Sequence, residues 1–381
     1  MRKFIYTIVA LFMPVCMFAQ VDAEHINESI KKQYAPDSRQ ALWEVTVKTT
    51  AGGVVAKGKT TEQEAYDAFK SLMNNNKIDY IDSITVYPND CWGLVRISVA
   101  SLRAGSKHSA EIVSQALMGT PLRLLEHVGE WWRVQSPDGY ISYVPESSIV
   151  EKTQEQMNDW RQAERLIVKS LDQIRVYAMP NDKAYRNMVT DLVNGCIVEG
   201  ELGNDKIEVS LPDGRKGWLN AADVESVNDW ANQGFDSDKI LETAYSLMGT
   251  PYLWGGMSPK ALDCSGLARV CYFANGIILM RDASQQAKTG QRIEPENWRE
   301  CKSGDLLYFG NAKTKRVTHV GIYDKNGGYV HSSGRVKYNS VDPEAPEYLK
   351  TPFLLAVRVD GQIGTKGIIS AANHPWYFNI D

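Results

Sequence analysis

A cysteine and two histidines in the C-terminal third of the chain have the residue types and the local sequence of a nucleophilic site. Cys264 follows Asp263 and precedes Ser265-Gly266 and an apolar run, which predicts that it lies at the N-terminus of a helix. Unpaired backbone N–H groups and the positive end of the helix dipole would stabilise a thiolate there and lower its pKa. We interpret Cys264 as a nucleophile, and Cys271, two turns into the same helix, as a core residue.

A nucleophilic thiol needs a base, and two strand patterns offer one. His319 lies in RVTHVGIYD, where strand alternation puts it on the same face as Gly321. His331 lies in GGYVHSSG, which follows an Asn-Gly-Gly turn. Antiparallel neighbours would bring the two rings side by side, so that His331 orients His319. The alternative is zinc bound by Cys264 and both histidines, but no fourth ligand or spaced ligand pair supports it.

Two helices should precede the histidine strands. Asp236-Ser237-Asp238 predicts the start of a helix over ILETAYSLM, which Gly249-Thr250-Pro251 ends. The loop YLWGG then leads to the cysteine helix, which closes at Asn275-Gly276. The tail beyond Gly361 holds Trp376, which would cover either a core edge or an interface.

Upstream, residues 113–150 and 189–224 form an internal repeat. Pro137-Asp138-Gly139 and Pro212-Asp213-Gly214 occupy equivalent places in it and signal hairpin turns between alternating strands. Short strands and polar turns at this density predict two small β-barrels. The polar segment EKTQEQMNDWRQAER predicts a short helix between them.

The segment before the repeat predicts a small α+β unit with a scaffold or interface role. Strands are expected over residues 43–48 and 81–87, and Thr60 with Thr61 should cap a helix over EQEAYDAFKSLM. The predicted segments of the whole chain are a signal peptide (1–20), the N-terminal unit (22–90), the first barrel (91–152), a helical linker (153–165), the second barrel (166–228), the cysteine-containing domain (236–360) and the tail (361–381).

The N-terminus MRKFIYTIVALFMPVCMFAQ has the basic start, apolar run and small residue typical of a secretory signal. We expect cleavage near Ala19 or Gln20 and export to the periplasm or cell envelope. The run is too short for a membrane span, so none is expected in the mature chain. Cys16 stands where a lipoprotein signal carries its acylated cysteine, but Met13-Pro14-Val15 matches the small-residue pattern of such signals poorly.

Composition disfavours several classes of protein. A length of 381 residues exceeds one ordinary domain, and the net charge of −4 with scattered basic residues argues against a nucleic-acid partner. No CxxC pair occurs among the six cysteines, which disfavours a structural zinc site. Cleavage near Ala19 or Gln20 would remove Cys16 and leave five cysteines, an odd number that is typical of an exported protein with a free reactive thiol.

The motifs of residues 236–360 resemble those of the NlpC-type peptidoglycan cysteine peptidases. They are PYLWGG at 251–256, DCSGL at 263–267, RDASQQ at 281–286, SGDLLYF at 303–309, THVGIY at 318–323 and YVHSSG at 329–334. The resemblance implies a papain-like domain, with helices packed on an antiparallel sheet, in a multidomain α+β protein. The repeats resemble bacterial SH3 domains, and the whole arrangement resembles the subgroup of γ-D-glutamyl-L-diamino acid peptidases.

This resemblance implies the catalytic roles. Cys264 would attack the amide carbonyl, while His319 would take its proton and later deliver one to the leaving amine. His331 would orient His319. Tyr252 and the backbone N–H of Cys264 would bind the oxyanion.

The resemblance also implies a substrate groove. Its residues would be Trp254, Asp263, Ser265, Asp282, Tyr140 and Glu111. Asp282 would receive a free N-terminal amine, and Tyr140 of the first barrel would close over it. The second barrel has Arg215 at the position of Tyr140, which argues against an equivalent role. Ala283 stands where the subgroup often has serine, so Ser284 is the candidate substitute.

The function expected from the resemblance is hydrolysis of the γ-D-glutamyl-diamino acid bond in muropeptides with a free N-terminal L-Ala, for recycling of wall fragments. We expect a monomer that needs no metal or organic cofactor. An endopeptidase acting on intact wall, a non-catalytic wall-binding protein and an acyltransferase are the alternatives. The intact cysteine and histidines argue against the second, and the third would need an apolar groove in place of Asp282. The sequence leaves open whether the diamino acid is diaminopimelate or lysine.

Overall fold

The computed structural model describes residues 13–379, with side chains from residue 23 onward. Most of the predicted signal peptide, residues 1–20, lies outside the described residues, and so does the side chain of Cys16. The chain divides into two compact units at Asn89 and Asp90. Between residues 13 and 379, no helix combines the length and apolar character needed to cross a membrane.

The first unit is a three-stranded sheet with two helices. Its elements are α1 (Met13–Tyr34), β1 (Trp43–Thr50), β2 (Gly53–Thr60), α2 (Gln63–Asn75) and β3 (Tyr80–Val86). β2 pairs antiparallel with β1 and parallel with β3. The predicted strands and helix are confirmed, but the predicted cap is wrong, because Glu62 is the N-cap and gives no side-chain cap. Thr60 instead ends β2, where its hydroxyl donates to the carbonyl of Leu42 at 2.7 Å.

The first barrel is a seven-stranded antiparallel sheet in the order β10-β4-β7-β8-β9-β5-β6. Its strands are β4 (Trp92–Val95), β5 (Val99–Arg103), β6 (Ile112–Leu117), β7 (Pro121–Val128), β8 (Trp131–Gln135), β9 (Ile141–Pro145) and β10 (Ile149–Lys152). The predicted Pro-Asp-Gly turn joins β8 to β9. Gly139 there has a φ of +83°, which a residue with a Cβ rarely adopts.

The predicted linker helix and a second seven-stranded sheet follow. Their elements are α3 (Gln154–Gln162), β11 (Arg165–Val168), β12 (Ile174–Tyr177), β13 (Met188–Leu192), β14 (Ile197–Glu199), β15 (Lys206–Ser210), β16 (Lys216–Asn220) and β17 (Val224–Ser226). The sheet order is β13-β12-β16-β15-β14-β11-β17. Thr153 and Gln156 form a capping box at the start of α3, which fixes where the linker becomes helical. A short helix, α4 (Val227–Ala231), follows β17.

The C-terminal domain packs helices against a six-stranded antiparallel sheet in the order β21-β26-β22-β23-β24-β25. Its elements are α5 (Ser237–Ser246), β18 (Met257–Ser258), β19 (Ala261–Leu262), α6 (Cys264–Phe273), β20 (Ile277–Leu279), α7 (Ala283–Gln286), β21 (Gln291–Ile293), β22 (Leu306–Gly310), β23 (Val317–Tyr323), β24 (Gly328–Ser333), β25 (Arg335–Ser340), β26 (Phe353–Arg358) and β27 (Ile368–Ser370). Both predicted helices and both histidine strands are confirmed. The N-caps are Asp236 and Asp263, as the sequence indicates.

Strand alternation gives this sheet two different faces. One face, with Tyr308, Val320 and Ile322, joins the buried core that includes residues of α5 and α6. The opposite face carries a second cluster that includes Phe309 and Tyr329. The cysteine helix packs on the first face, and both histidines follow the strand alternation of the second face.

A shared aromatic core joins the barrels, α3, α4 and the C-terminal domain. Its buried residues include Trp92, Met157, Trp160, Ile197, Trp230, Ile278 and Tyr377. The tail contributes to it through β27, which pairs antiparallel with β20, and through Trp376, whose ring lies 5.2 Å from that of Trp92. The tail therefore covers a domain junction, one of the two places that its aromatic residues suggest.

Candidate active site

Cys264 is the first residue of α6 and is 7% exposed. The carboxylate of Asp263 caps the helix by accepting from the N–H of Gly266 at 2.6 Å. The backbone N–H groups of Val320 and Ser265 donate toward the Cys264 sulfur. The first of these comes from the residue after His319, so the thiol lies against the edge of β23 beside the predicted base.

The expectation that Cys264 has a lowered pKa is wrong. Burial, with the charge of Asp263 acting in the same direction, raises the pKa of its thiol to about 11. The N–H groups of Val320 and Ser265 and the cation of Arg281 act in the opposite direction but do not outweigh burial. The site therefore holds a neutral thiol that needs a base at the moment of attack.

His319 and His331 are neighbours, as the strand pattern predicts. β23 and β24 pair through Ile322 with Val330 and Tyr323 with Tyr329. Nε2 of His319 lies 2.7 Å from Nδ1 of His331. Space for the second ring depends on Gly321, because a Cβ there would lie 2.5 Å from the ring of Tyr329 and 3.2 Å from Cβ of His331.

Asn339, which the sequence analysis missed, completes this chain of side chains. Its Oδ1 lies 2.9 Å from Nε2 of His331, while its Nδ2 donates to the carbonyl of Glu347 at 3.0 Å. Register could have found it, because β25 pairs Lys337 with His331 and Asn339 lies two residues farther along the same face.

These partners fix the tautomers of both rings. The carbonyl of Glu347 can only accept a hydrogen bond, so the amide nitrogen of Asn339 faces Glu347 and Oδ1 of Asn339 faces His331. Because Oδ1 also can only accept, Nε2 of His331 must carry the hydrogen. Nδ1 of a neutral His331 is then an acceptor, and the hydrogen between the rings sits on Nε2 of His319. Nδ1 of His319 is left with a lone pair, which is what a general base requires.

Burial, together with His331 and the positive charge of Lys337, lowers the pKa of His319 to about 3, against an opposing effect of Asp263. Burial also lowers the pKa of His331, where the bond to Asn339 acts the other way and Lys337 adds to the lowering. Both imidazoles are therefore neutral at neutral pH, in keeping with the tautomers deduced from the hydrogen bonds.

Asp263 and Ser265 belong to a buried polar cluster around Arg281, rather than to an open groove. Arg281 is 1% exposed, and its Nη2 donates to Oδ2 of Asp263 at 2.5 Å. Its Nη1 donates to Ser265 Oγ at 2.9 Å, and its Nε donates to Ser114 Oγ of the first barrel at 3.1 Å. The cluster ties the cap of the cysteine helix to the barrel. The motif RDASQQ contains this arginine, but the sequence analysis gave it no role.

Tyr252 lies half-buried near the thiol. Burial is the main cause that raises the pKa of its phenol to about 12, and the neighbouring Cys264 and Asp263 act in the same direction. The phenol is therefore a protonated donor, as an oxyanion ligand must be. Its backbone N–H donates to the carbonyl of Gly334 at 3.0 Å, which holds the loop against the β24–β25 turn. Trp254 is 57% exposed on the same loop.

The first barrel and the RDASQQ segment converge on the same cation. Burial lowers the pKa of Arg281, whereas Asp263 raises it. Asp282 and Tyr140 raise it further, so that the net shift of the pKa is upward. Tyr140 is buried, whereas Asp282 and Ser284 are partly exposed and Ala283 is buried. Glu111 is exposed just before β6, outside this cluster. In the second barrel, Arg215 is exposed and donates to Asp213 at 2.8 Å.

Within the described range, no three His, Cys, Asp or Glu side chains are arranged to hold a metal ion. Cys91, Cys196, Cys264, Cys271 and Cys301 are all free thiols. Cys271 is fully buried in the core, as predicted.

A buried thiol beside a chain of two histidines and an asparagine, on a helix packed against an antiparallel sheet, defines a papain-like cysteine peptidase. Residues 249–358 match the NlpC/P60 family, and residues 102–149 match the bacterial dipeptidyl-peptidase Sh3 domain. Residues 249–358 therefore form the NlpC/P60 domain of a cysteine peptidase, and residues 102–149 form a bacterial dipeptidyl-peptidase SH3 domain.

Curated relatives share this arrangement over most of their length. The γ-D-glutamyl-L-lysine dipeptidyl-peptidase of Bacillus cereus (strain ATCC 10987 / NRS 248) is 25% identical over 278 residues, which is 69% of this chain and 80% of that protein. Dipeptidyl-peptidase 6 of Lysinibacillus sphaericus is 28% identical over 267 residues, which is 67% of this chain and 93% of that protein. A crystal structure of an NlpC/P60 family protein from Bacillus cereus ATCC 10987 superimposes with a TM-score of 0.60 at 21% identity, covering 70% of this chain and 99% of that one. This last likeness concerns the fold alone.

Proposed function

We propose that this peptidase hydrolyses the bond between γ-D-glutamate and the diamino acid of peptidoglycan stem peptides that have a free N-terminal L-Ala. The products would be L-Ala-D-Glu and the shortened peptide. The observation that carries the proposal is the convergence of Tyr140, from the first barrel, and Asp282 on Arg281 beside the nucleophile. The names of the two curated relatives support the same bond class, since both are dipeptidyl-peptidases and one is a γ-D-glutamyl-L-lysine enzyme.

The catalytic steps follow from the tautomers. Nδ1 of His319 accepts the thiol proton as the sulfur of Cys264 attacks the γ-carbonyl, and the oxyanion is bound by the phenol of Tyr252 and the N–H of Cys264. His319 then gives this proton to the leaving amine, and the C–N bond breaks. Water attacks the thioester with His319 again as base, which releases the dipeptide and restores the thiol. His331 and Asn339 hold the ring of His319 throughout.

Specificity for a free amine would come from the barrel. A docked barrel ends the groove near Tyr140 and Asp282, so that an ammonium fits there and a glycan-bearing alanine does not. A site built to bind a charged amine discriminates far more strongly against a substrate that lacks it than an apolar contact does. The enzyme would then trim released wall peptides in the periplasm or cell envelope after export, which suits recycling of wall fragments.

The test compares two tripeptides, L-Ala-γ-D-Glu-diaminopimelate and its N-acetylated form, by mass spectrometry of the products. We expect release of L-Ala-D-Glu from the free peptide only, and none with Cys264→Ala. Tyr140→Phe should narrow the preference between the two peptides. Equal cleavage of both by the native protein would refute the amine requirement and indicate an endopeptidase of intact wall.

A further inference from the structure

Strand β25 presents a basic strip beside the histidine pair. Its register pairs Lys337 with His331 and Arg335 with Ser333, so both cations lie on the face that carries His331. The next residue on that face, Asn339, is engaged with His331. Arg335, Lys337 and Asn339 therefore lie on the same face of the sheet as the histidines, and Asn339 is already part of the site.

Lys337 is unusual because it is partly buried and has no ion-pair partner among residues 13–379. Its charge acts on both histidines and lowers the pKa of each. An ammonium in this place opposes formation of the imidazolium that catalysis requires at His319. Asp263, the acid that acts on His319 in the opposite sense, is already held by Arg281. The chain thus keeps an unneutralised cation where an anion from the substrate would relieve its effect.

We propose that Lys337 binds a carboxylate of the leaving residue of the substrate, an inference that rests on the proposed function. The leaving amine must lie against His319, which protonates it. In a diamino acid, an α-carboxylate is attached to the carbon that bears this nitrogen. The carboxylate therefore arrives in the surroundings of His319, where Lys337 is the cation that acts on both rings. Its binding neutralises the ammonium and removes a charge that disfavours proton uptake.

Two carboxylates fit this description. One is the α-carboxylate, which is free when the diamino acid ends the peptide. The other is the second carboxylate of diaminopimelate, which lysine lacks. Four tripeptides separate them: L-Ala-γ-D-Glu-diaminopimelate, L-Ala-γ-D-Glu-lysine and the α-amide of each. The variant is Lys337→Met, and Arg335→Gln is its control because Arg335 shares the strand and face but is not among the charges acting on either histidine.

For Lys337→Met we expect kcat/KM to fall about tenfold on the peptides that carry the recognised carboxylate, the scale of one lost hydrogen bond to a charged group. A fall on both α-acids, with their amides unchanged or faster, identifies the α-carboxylate. A fall on both diaminopimelate peptides alone identifies the side-chain carboxylate. Arg335→Gln should match the native protein on all four peptides.

An equal fall on all four peptides, no fall on any, or an equal effect of Arg335→Gln would overturn the inference. The native protein tests the proposed function separately, since it must release L-Ala-D-Glu whichever peptide is offered. Release from the peptides without a dependence on Lys337 would leave the proposed function standing and refute only the carboxylate site. Release from none would refute both.

Discussion

The guanidinium of Arg281 holds the carboxylate of Asp263 through hydrogen bonds of 2.5 and 3.3 Å, and both side chains are almost fully buried. This pair lies directly before the nucleophile, because Asp263 is the N-cap of the helix that Cys264 begins. A third hydrogen bond reaches Ser114 in the first barrel. One arginine therefore balances the charge next to the thiol and connects the cysteine helix to the neighbouring domain.

Removal of this arginine should destabilise the protein strongly. Arg281→Met leaves the Asp263 carboxylate buried without its partner, a change that typically costs about 3 to 5 kcal/mol. Asp263→Asn in the Arg281→Met background removes the stranded charge and should recover part of that loss. Urea denaturation followed by fluorescence measures each free energy of unfolding. A single variant as stable as the native protein would show that the pair contributes little.

The pH dependence of catalysis should lack the usual histidine limb. The pKa of His319 is lowered to about 3 and that of Cys264 is raised to about 11, so base and thiol keep their neutral forms between these values. For the free enzyme, kcat/KM should stay level from about pH 8 down to about pH 5, below the usual histidine range. The check is a pH series on a peptide whose own groups do not titrate in that range. A fall in kcat/KM near the ordinary histidine pKa would contradict the buried, neutral pair.

The stability of the fold should decline in the same acidic window in which activity persists. His319, His331 and His374 all have lowered pKa values in the folded state, chiefly because of burial. Below about pH 6.5 these histidines bind protons in the unfolded chain but stay neutral in the folded protein, so the free energy of unfolding decreases as the pH falls. Urea midpoints at several pH values measure this effect. In His374→Gln, the urea midpoint should fall less steeply as the pH is lowered. An unchanged dependence of the midpoint on pH in that variant would refute the contribution of His374.

Local patterns predicted much of the fold and the site, because they depend on neighbours in sequence. The cap at Asp263, the cysteine helix and the histidine strands all follow from short motifs and strand alternation. The pKa of Cys264 did not, since the motif shows the helix terminus but not the burial that outweighs it. Asn339 was missed because it belongs to the site only through the pairing of β24 with β25. Arg281 was missed because its partners lie in two separate segments of the chain, Ser114 in the first barrel and Asp263 with Ser265 at the start of the cysteine helix.

Asn339 should act as a positioning residue that fixes the tautomer of the histidine pair. Asn339→Ala removes the acceptor that keeps the hydrogen of His331 on Nε2. The hydrogen of His319 is then no longer fixed on its Nε2, and its Nδ1 no longer always carries the lone pair that the base needs. We expect kcat to fall about tenfold, a part of what general base catalysis contributes, with KM little changed. Asn339→Asp keeps an acceptor and should retain most of the activity. Equal losses in both variants would indicate a structural role only.

The two repeat turns provide a matched comparison of barrel docking. Asp138 of the first barrel forms a buried ion pair with Arg269 on the cysteine helix at 3.0 Å. The equivalent Asp213 pairs with Arg96 at 3.1 Å and with Arg215 at 2.8 Å, and both of these arginines are substantially exposed. Asp138→Ala strands a buried guanidinium and should cost about 3 to 5 kcal/mol, whereas loss of each exposed pair of Asp213 should cost about 1 kcal/mol or less. Only the first should also lower kcat/KM for the free tripeptide, because only that turn seats the barrel against the helix that carries Cys264. Calorimetric unfolding and peptide kinetics on Asp138→Ala and Asp213→Ala test this, and equal effects of the two variants would show that docking through Arg269 has no special bearing on the site.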